Sequence, residues 1–522
     1  MRVIDYFDQA AARTPDRALL LGADDRELTF AAAQRRSHEL ARALHADGLA
    51  VGDTVGVLAP NDPDAFVAML GLWRAGAAWA PLNHLNALGA NGDYMNDVAC
   101  RRLYVHPRFA DAVAPLRAAV PGLTSVVSLG DPFPGAIGLR EHLATGDGTT
   151  LPDWADPFGS PDRHCCYWPT GGTTGRSKAV IWTNQVWATL NELTTRHWPT
   201  VPDPVNLMVA PMTHAAGVMA VILGSVGATV VVRPGFDADD VLDRIERHRV
   251  THLFLPPTAY YALLDAQRAR PRDVSSLALL LVAAAPVSPD RMGEGVEVFG
   301  PCVAQCWGQG ESPFLLTYLA PEEVAAAVAA GRRDRLASCG RATFSCQVAV
   351  ADDDGRLLDP GETGELVVRG RLVAPGYLGR PQATAEVQAH GWHHTGDVGR
   401  IDEDGYVSIV DRKKEMIISG GFNVFPAEVE TALLTAPAVA DCAVIGVPDD
   451  RWGEAVTAFV VLRDGADEDA EGLIAHARAA LGPVKAPKRI AFVTDLPRTP
   501  VGKTDKRALR RAHWSGRERA VN

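Results

Sequence analysis

Cysteine is scarce, with eight residues in a chain of 522. Neither Cys165-Cys166 nor the Cys302/Cys306 pair has the spacing of a zinc or redox site, and so few cysteines over such a length build no disulfide scaffold. They read as small buried hydrophobes in a reducing cytoplasm. Long apolar runs are missing too. Stretches such as Leu277 to Val282 are far too short to cross a bilayer, so no membrane span is expected. Met1 to Arg17 mixes charged and apolar positions with no continuous apolar core, which argues against a signal peptide. There is no block of lysine and arginine. The net charge of −12 is built from interspersed signs, which speaks against a nucleic-acid partner. An anionic substrate must then be captured by a local site, because the overall field opposes it. No internal repeat or low-complexity segment is visible.

What is present has the texture of a soluble globular protein. Hydrophobic residues make up 47% of the chain and charged residues 22%, and the length exceeds what one hydrophobic core holds, so two or more domains are expected. Short β-branched runs alternate with helical patterns. Val55 to Leu58 reads as a buried strand. Asp62 then caps a helix that has Pro63 at its first position and Phe66, Met69, Leu70 and Trp73 on one face, with Gly76 as the stop. The same alternation returns at Val230 to Val232, Asp239 to His248, Leu253 to Leu255, Tyr260 to Ala269 and Leu279 to Val282. This predicts α/β layers with largely parallel sheets. Near residue 345 the texture changes to short strands between Gly, Pro and Asp turns, at Gln347 to Ala351, Gly364 to Arg369 and Gly405 to Val410, which predicts a β-rich lobe. After Asp411 an α+β pattern begins, with a helix over Pro426 to Leu434 and strands at Cys442 to Val447 and Val456 to Leu462. The expected organisation is a large N-terminal domain, 1–411, of layered α/β sheets plus the β-rich lobe, followed by a small mobile α+β domain, 412–522.

The most informative segment is Thr170-Gly-Gly-Thr-Thr-Gly-Arg-Ser-Lys178. Adjacent glycines let backbone N–H groups approach an anion without a Cβ in the way. Thr170, Thr173 and Thr174 add hydroxyls, and Lys178 adds a mobile positive charge. A triphosphate needs this chemistry; the plainer reading is a flexible Gly/Thr turn. The segment is not a Walker loop, because Arg176 follows Gly175 where lysine and Ser/Thr would stand. Cys165 to Trp168 and Ala179 to Trp182 both read as strands, so the loop joins strand to strand rather than strand to helix.

This loop resembles the phosphate-binding signature of the adenylate-forming superfamily, which includes acyl-CoA synthetases, peptide-synthetase adenylation domains and luciferase. Further segments follow in that family's order along essentially the whole chain: Leu72 to Asn83, Pro211-Met-Thr-His-Ala-Ala-Gly217, Ala283-Ala-Ala-Pro286, Trp307-Gly-Gln-Gly-Glu311, His394-Thr-Gly-Asp397, Asp411-Arg-Lys-Lys414 and Pro500-Val-Gly-Lys503. The acyl-CoA synthetases resemble it best. The resemblance implies ATP, Mg²⁺ and coenzyme A as reactants and cofactors. It implies a two-step reaction in which a carboxylic acid becomes acyl-AMP and then a thioester, with a rotation of the C-terminal domain between the steps.

Residue by residue, the resemblance gives Thr170, Gly171, Gly172, Thr173, Thr174, Gly175 and Lys178 to the phosphates. Ala284, Ala285, Pro286, Trp307 and Gly308 go to the adenine. Asp397 goes to the ribose hydroxyls, as suits an acceptor-only carboxylate, with Arg412 assisting at the hinge. Glu311 is the implied Mg²⁺ ligand, since a hard cation takes carboxylate together with phosphate oxygens. Lys503 is the implied catalytic cation, offsetting the repulsion between two anionic reactants. Alone, Gly502-Lys503 would read as a solvated lysine beside the basic Lys506, Arg507, Arg510 and Arg511. His214, implied at the acyl entrance and grouped with the catalytic residues, lines an acyl pocket with Ala215, Gly217, Val218, Ala283, Gln309 and Gly310. Ser419, Gly420 and Gly421 resemble the loop beside the coenzyme A channel, where a glycine lets the thiol arm pass close to backbone.

Two departures stand out. Gly310 takes the place of a threonine, and Trp307 that of a tyrosine. Neither removes a charge that the chemistry needs. The stretch Pro211 to His214 lacks the Asp that holds an amino group, which disfavours an α-amino acid. Ala215 stands where some 2-hydroxybenzoate-activating relatives carry Asn. The small residues Ala215, Ala216 and Gly217 suggest room for a bulky acyl, alicyclic or aryl acid. His390, His393 and His394 are close in sequence but lack sulfur partners, which argues against zinc. Three alternatives stand beside the coenzyme A ligase: an enzyme that stops at acyl-AMP, one that loads an acyl carrier protein, and a non-catalytic nucleotide-binding homologue.

Overall fold

The structure, a computed structural model, describes residues 1–151, 160–170, 177–449, 451–499 and 504–514. Gly171, Gly172, Thr173, Thr174, Gly175 and Lys503 lie outside the described residues. The chain forms two compact units, Met1–Gln347 with Arg369–Gly391, and Val348–Val368 with Trp392–Asn522. The division passes through the β-rich lobe rather than at Asp411/Arg412.

The first unit is built on two sheets. One has seven strands in the order Ile137–Gly138, Ser125–Ser128, Arg102–Val105, Thr54–Leu58, Ala78–Leu82, His164–Pro169 and Ala179–Thr183, parallel except for the last pair. The other has nine. Its parallel part is Ala18–Leu21, Thr229–Val232, Val205–Met208, His252–Leu255, Leu279–Val282 and Val303–Gln309, and antiparallel strands complete both edges. The central strands Thr229–Val232, His252–Leu255 and Leu279–Val282 are buried at every position, the pattern of parallel strands covered on both faces.

Local chemistry explains the crossovers. Helix Pro63–Arg74 starts where the Asp62 side chain accepts from the backbone N–H groups of Asp64 and Ala65, with Pro63 supplying a pre-set φ. It ends before Gly76, whose φ of 79° suits a residue without Cβ. Behind the loop strands lies an aromatic core. Trp73, Trp79, Trp182 and Trp187 are all buried, and the Trp73 indole N–H donates to the carbonyl of Cys165 at 2.9 Å. All eight cysteines are buried and free, and burial pushes the thiols of Cys100 and Cys302 up to about 12, so neither ionises readily near neutrality.

The second unit has two sheets of its own. In the first, Gly364–Gly370 and Trp392–Ile401 pair antiparallel, and Val407–Arg412 pairs with the far side of Trp392–Ile401. In the second, Phe422–Val424, Ile417–Ser419, Gly453–Leu462 and Val439–Asp449 follow one another, with Arg489–Phe492 parallel to Gly453–Leu462. Helices Pro426–Leu434 and Ala470–Lys485 cover this sheet through Val429, Leu433, Leu473 and Ala477. Among the described residues no helix is long and apolar enough to cross a membrane.

Candidate active site

The strands that flank the glycine–threonine loop run antiparallel, with Pro169 opposite Ala179. Immediately beyond that pair the loop is closed at its base. Thr170 N–H donates to the Lys178 carbonyl at 2.9 Å, and Lys178 N–H donates to the Thr170 hydroxyl oxygen at 3.2 Å. Thr170 and Lys178 are therefore held together at the neck, as a strand-to-strand loop requires.

Three chain segments meet at this neck. The hairpin Val303–Gln309/Ser312–Leu319 carries Gly310 and Glu311 at its tip, with Gln309 opposite Ser312. A Cβ placed on Gly310 would lie 3.7 Å from the Thr170 methyl and 3.0 Å from Cδ1 of Trp168. The segment 374–378 runs back along the loop's outgoing strand: Ile181 N–H donates to Gly376 O and Leu378 N–H to Ala179 O, each at 2.9 Å. That segment also fixes Glu311. Ala374 N–H donates to the Glu311 carbonyl at 2.8 Å, and the Tyr377 hydroxyl donates to Glu311 Oε1 at 2.6 Å. Lys178 Nζ lies 4.8 Å from the centre of the Tyr377 ring. Burial, and then the Glu311 charge, raise the Tyr377 pKa, so the phenol stays protonated and donating. A lysine, a carboxylate and the neck of the glycine–threonine loop thus meet at one tyrosine.

The donor set fits a magnesium ion carried on a nucleotide. Glu311 is partly exposed at the hairpin tip and keeps acceptor capacity beyond its bond from Tyr377. Mg²⁺ asks for one or two protein carboxylates and takes its remaining oxygens from phosphates and water.

The other expected residues of the first unit fall as follows. His214 precedes helix Ala215–Ser225; its Nδ1 is 3.3 Å from the Thr213 hydroxyl, and its ring is 6.0 Å from that of Trp168. Gly217 and Val218 are buried, and Ala215 is partly open. The expectation of acyl room at Gly217 needs correcting: a Cβ there would lie 1.8 Å from the Met212 carbonyl oxygen, so the glycine serves close packing of the helix start on the preceding turn. Ala283 is buried, whereas Ala284 and Pro286 are exposed and Ala285 is partly open. Ala284 has a φ of 79°, a left-handed conformation that costs a non-glycine residue on the order of 1 kcal/mol. Trp307 is 7% exposed and offers little ring surface, while Gly308, Gln309 and Gly310 are partly open. Gly308 is required by the hairpin, since a Cβ would meet the Phe314 backbone at 2.5 Å.

In the second unit, strand register brings two expected partners together. Asp397 and Arg412 are paired positions on adjacent strands, and Arg412 Nε donates to Asp397 Oδ1 at 2.8 Å. Asp397 is buried and the Arg412 side chain half exposed. Beside them Glu365 accepts from Lys413 Nζ and pairs with His394 Nδ1, both at 3.1 Å. Burial pushes the Glu365 pKa up, but the bonds from His394 and Lys413 outweigh it and leave the carboxyl below its usual value. Among the described residues no group of three or more His, Cys, Asp or Glu side chains is arranged to hold a metal. Gly420 and Gly421, with φ of 60° and 82°, form the two-residue turn of the Ile417–Ser419/Phe422–Val424 hairpin. Ser419 is buried; a Cβ on Gly421 would meet nothing within 4 Å.

Sequence reasoning missed Tyr377 and Trp168. Tyr377 stands in Pro375-Gly-Tyr377, a segment with no periodicity, and is joined to Glu311 only by the fold. Trp168 was legible as a strand residue two positions before Thr170 but not as a lining one.

These features are those of an enzyme that handles a nucleotide, and the comparisons agree. The sequence matches the family described as AMP-binding enzyme over residues 7–378, and the AMP-binding enzyme C-terminal domain over residues 428–503. The chain belongs to the AMP-binding enzyme family. It is 38% identical over 519 residues to a medium/long-chain-fatty-acid–CoA ligase, FadD8, of Mycobacterium tuberculosis, covering 96% of this chain and 88% of that one. It is 37% identical over 491 residues to a feruloyl-CoA synthase of an Amycolatopsis species, covering 93% and 94%. Among solved structures it resembles the amide bond synthetase McbA of Marinactinospora thermotolerans, with a TM-score of 0.87 and 31% identity over 98% of this chain and 100% of that one.

Proposed function

We propose that the protein activates a carboxylic acid with ATP, releasing pyrophosphate and forming acyl-AMP, and then passes the acyl group to the thiol of coenzyme A. The observation that carries this reading is the single knot of Lys178, Tyr377 and Glu311 at the neck of a glycine–threonine loop. It brings a cation and a carboxylate suited to a hard metal to the base of that loop. The CoA ligase activities of the FadD8 and feruloyl-CoA synthase relatives support it.

The chemistry follows from charge. A carboxylate oxygen attacks the α-phosphorus of ATP, and both partners are anions, so the reaction waits on neutralisation and alignment. Lys178 and the loop N–H groups hold the β- and γ-phosphates. Lys503 offsets charge between the carboxylate and the α-phosphate. Glu311 would hold Mg²⁺, which supplies Lewis-acid charge neutralisation at the phosphates. Asp397 accepts from the ribose hydroxyls, with Arg412 setting its orientation. In the second step the thiol attacks the acyl carbonyl and AMP leaves. We assign residues 412–522 to the mobile domain that turns between steps, with Gly421 exposing backbone to the thiol arm. His214 gates the acid, and the adenine lies along Ala284 to Pro286. The acid is bulky acyl, alicyclic or aryl, since no acid side chain stands in Pro211 to His214 to hold an amino group.

The test is incubation with ATP, Mg²⁺ and a panel of such acids, with and without coenzyme A, read by mass spectrometry. Acyl-CoA from any acid supports the ligase. Acyl-AMP that persists with coenzyme A but disappears onto a pantetheinylated carrier protein moves the acceptor to that protein. Absence of both products from every acid sinks the adenylating reading.

A further inference from the structure

Gly310 is open where its family position carries threonine, and the structure shows what takes the space. A Cβ built on Gly310 would lie 3.0 Å from Cδ1 of Trp168, with Val180 and Thr170 next at 3.6 Å and 3.7 Å. A larger residue at 310 therefore presses on the Trp168 indole, which must give by a few tenths of an ångström. Two rings resist that shift. The Trp168 ring stacks on Trp182 at 4.5 Å and 3°, and Trp79 meets it at 6.3 Å and 73°. Trp182 is itself 1% exposed, packs on Trp187 at 6.1 Å, and donates its indole N–H to the Gly310 carbonyl at 2.7 Å. One buried ring thus fixes both the Trp168 plane and the Gly310 backbone.

Trp168 differs from the tryptophans behind it. Trp79, Trp182 and Trp187 are fully buried, whereas Trp168 keeps partial exposure. Its other neighbours are His214, at 6.0 Å and 64°, and Gly310. These are two residues assigned above to the acyl site, and Thr170 of the phosphate-loop neck is two residues along the strand. An indole pinned on one side and partly open on the other offers a flat, rigid surface. Such a surface favours a π system at stacking distance over a puckered ring of equal size.

We propose that Trp168 is the specificity-determining wall of the acyl site: it fills the volume that Gly310 leaves open and selects flat aryl acids over alicyclic acids of the same length. This rests on the adenylating reading and adds a preference which that reading leaves open.

The probes are 3-phenylpropanoate and 3-cyclohexylpropanoate, which share chain length and ring carbon count and differ in whether the ring is flat and aromatic or saturated and puckered. Acyl-AMP formation is measured for wild type, Trp168→Leu, Trp168→Phe, Gly310→Thr and the Trp168→Leu/Gly310→Thr double variant. Wild type should favour the phenyl acid by about threefold to tenfold in kcat/KM. Trp168→Leu should bring that ratio to about one while the KM for ATP stays within about twofold, and Trp168→Phe should retain most of the ratio. Gly310→Thr alone should impair both acids, and Trp168→Leu should recover part of that loss. A wild-type ratio at or below one, a ratio unmoved by Trp168→Leu, or a Gly310→Thr defect that Trp168→Leu leaves untouched would overturn the proposal. Should Trp168→Leu fail to fold, Trp168→Phe and Gly310→Thr still decide it. If neither acid is adenylated, calorimetric binding of the two acids to wild type and Trp168→Phe supplies the ratio, and equal or absent binding overturns it. Failure of the whole acid panel counts against the adenylating reading instead.

Discussion

Lys506 lies in the helix Lys506–Arg511, at the C-terminal end of the described chain, yet its side chain is only 13% exposed. Its ammonium is 2.8 Å from Glu430 Oε1 and 3.4 Å from Glu415 Oε2. Burial alone would lower the lysine pKa, but the charges of Glu430, Glu415 and Asp411 outweigh it and leave it raised, so the side chain stays ionised. Replacing it with methionine keeps the volume and removes the charge, leaving two partly buried carboxylates without their cation. Losing a charged hydrogen bond of this kind costs about 1.5–3 kcal/mol. If the helix Pro426–Leu434, which carries Glu430, exchanges its amide hydrogens through unfolding of this region, protection should fall by roughly tenfold to a hundredfold. Hydrogen exchange resolved by peptide, compared between wild type and Lys506→Met at pH 7.5, reads this directly, and Lys506→Arg should retain most of the protection. Protection within about threefold of wild type in Lys506→Met would refute the reasoning. It would mean that the carboxylates are solvated or already protonated and need no buried cation.

Three further outcomes are expected. Burial raises the Asp411 pKa from 3.8 to about 6 despite the attraction of Lys506, so the folded state holds a proton that the unfolded chain releases. That stabilisation is present below about pH 4 and is lost as pH rises to about 6, by on the order of 3 kcal/mol. Urea midpoints across that window should therefore diverge between wild type and Asp411→Asn, and parallel curves would count against it. Tyr377→Phe deletes the hydroxyl that donates to Glu311. It should lower the rate of ATP–pyrophosphate exchange by about tenfold, mostly through the KM for MgATP, since a hydrogen bond to a charged group is involved; an unchanged KM would separate Tyr377 from the metal ligand. Lys503→Ala should reduce acyl-AMP formation by on the order of tenfold or more while leaving thioester formation from supplied acyl-AMP largely intact. Loss of less than about threefold would remove the lysine from the first step.

The layers were legible because they rest on local rules. Asp62-Pro63 starts a helix by capping and fixed φ whatever surrounds it, and four-residue apolar runs such as Leu279 to Val282 are buried strands in a parallel sheet. That the glycine–threonine loop joins strand to strand was legible for the same reason, since Cys165 to Trp168 and Ala179 to Trp182 read as strands on their own residues. Asp397 and Arg412 stood apart in sequence, and only antiparallel register made them an ion pair. The division into compact units by packing was not legible. Val407–Arg412 is a continuous strand pairing with Trp392–Ile401, and a composition shift at Asp411 carries no information about which residues pack together.

What sequence could not give was the shape of the acid site, and Gly310 shows why. As a symbol in a motif it reads only as a threonine replaced. In the fold its missing Cβ is matched by an indole from another strand, held there by stacking on Trp182. Gly217 repeats the lesson: read as room for a ligand, it is room for the Met212 carbonyl. A glycine reports only that something comes close, and whether that is substrate, backbone or a tryptophan is settled by tertiary packing. Charged residues behave differently, because a buried cation or carboxylate must be answered by a counter-charge or a ligand wherever the fold puts it. Residues whose proposed roles rest on charge, such as Lys178, Glu311 and Asp397, are therefore the more legible layer, and the packing around Trp168 and Gly310 is the layer that requires the structure.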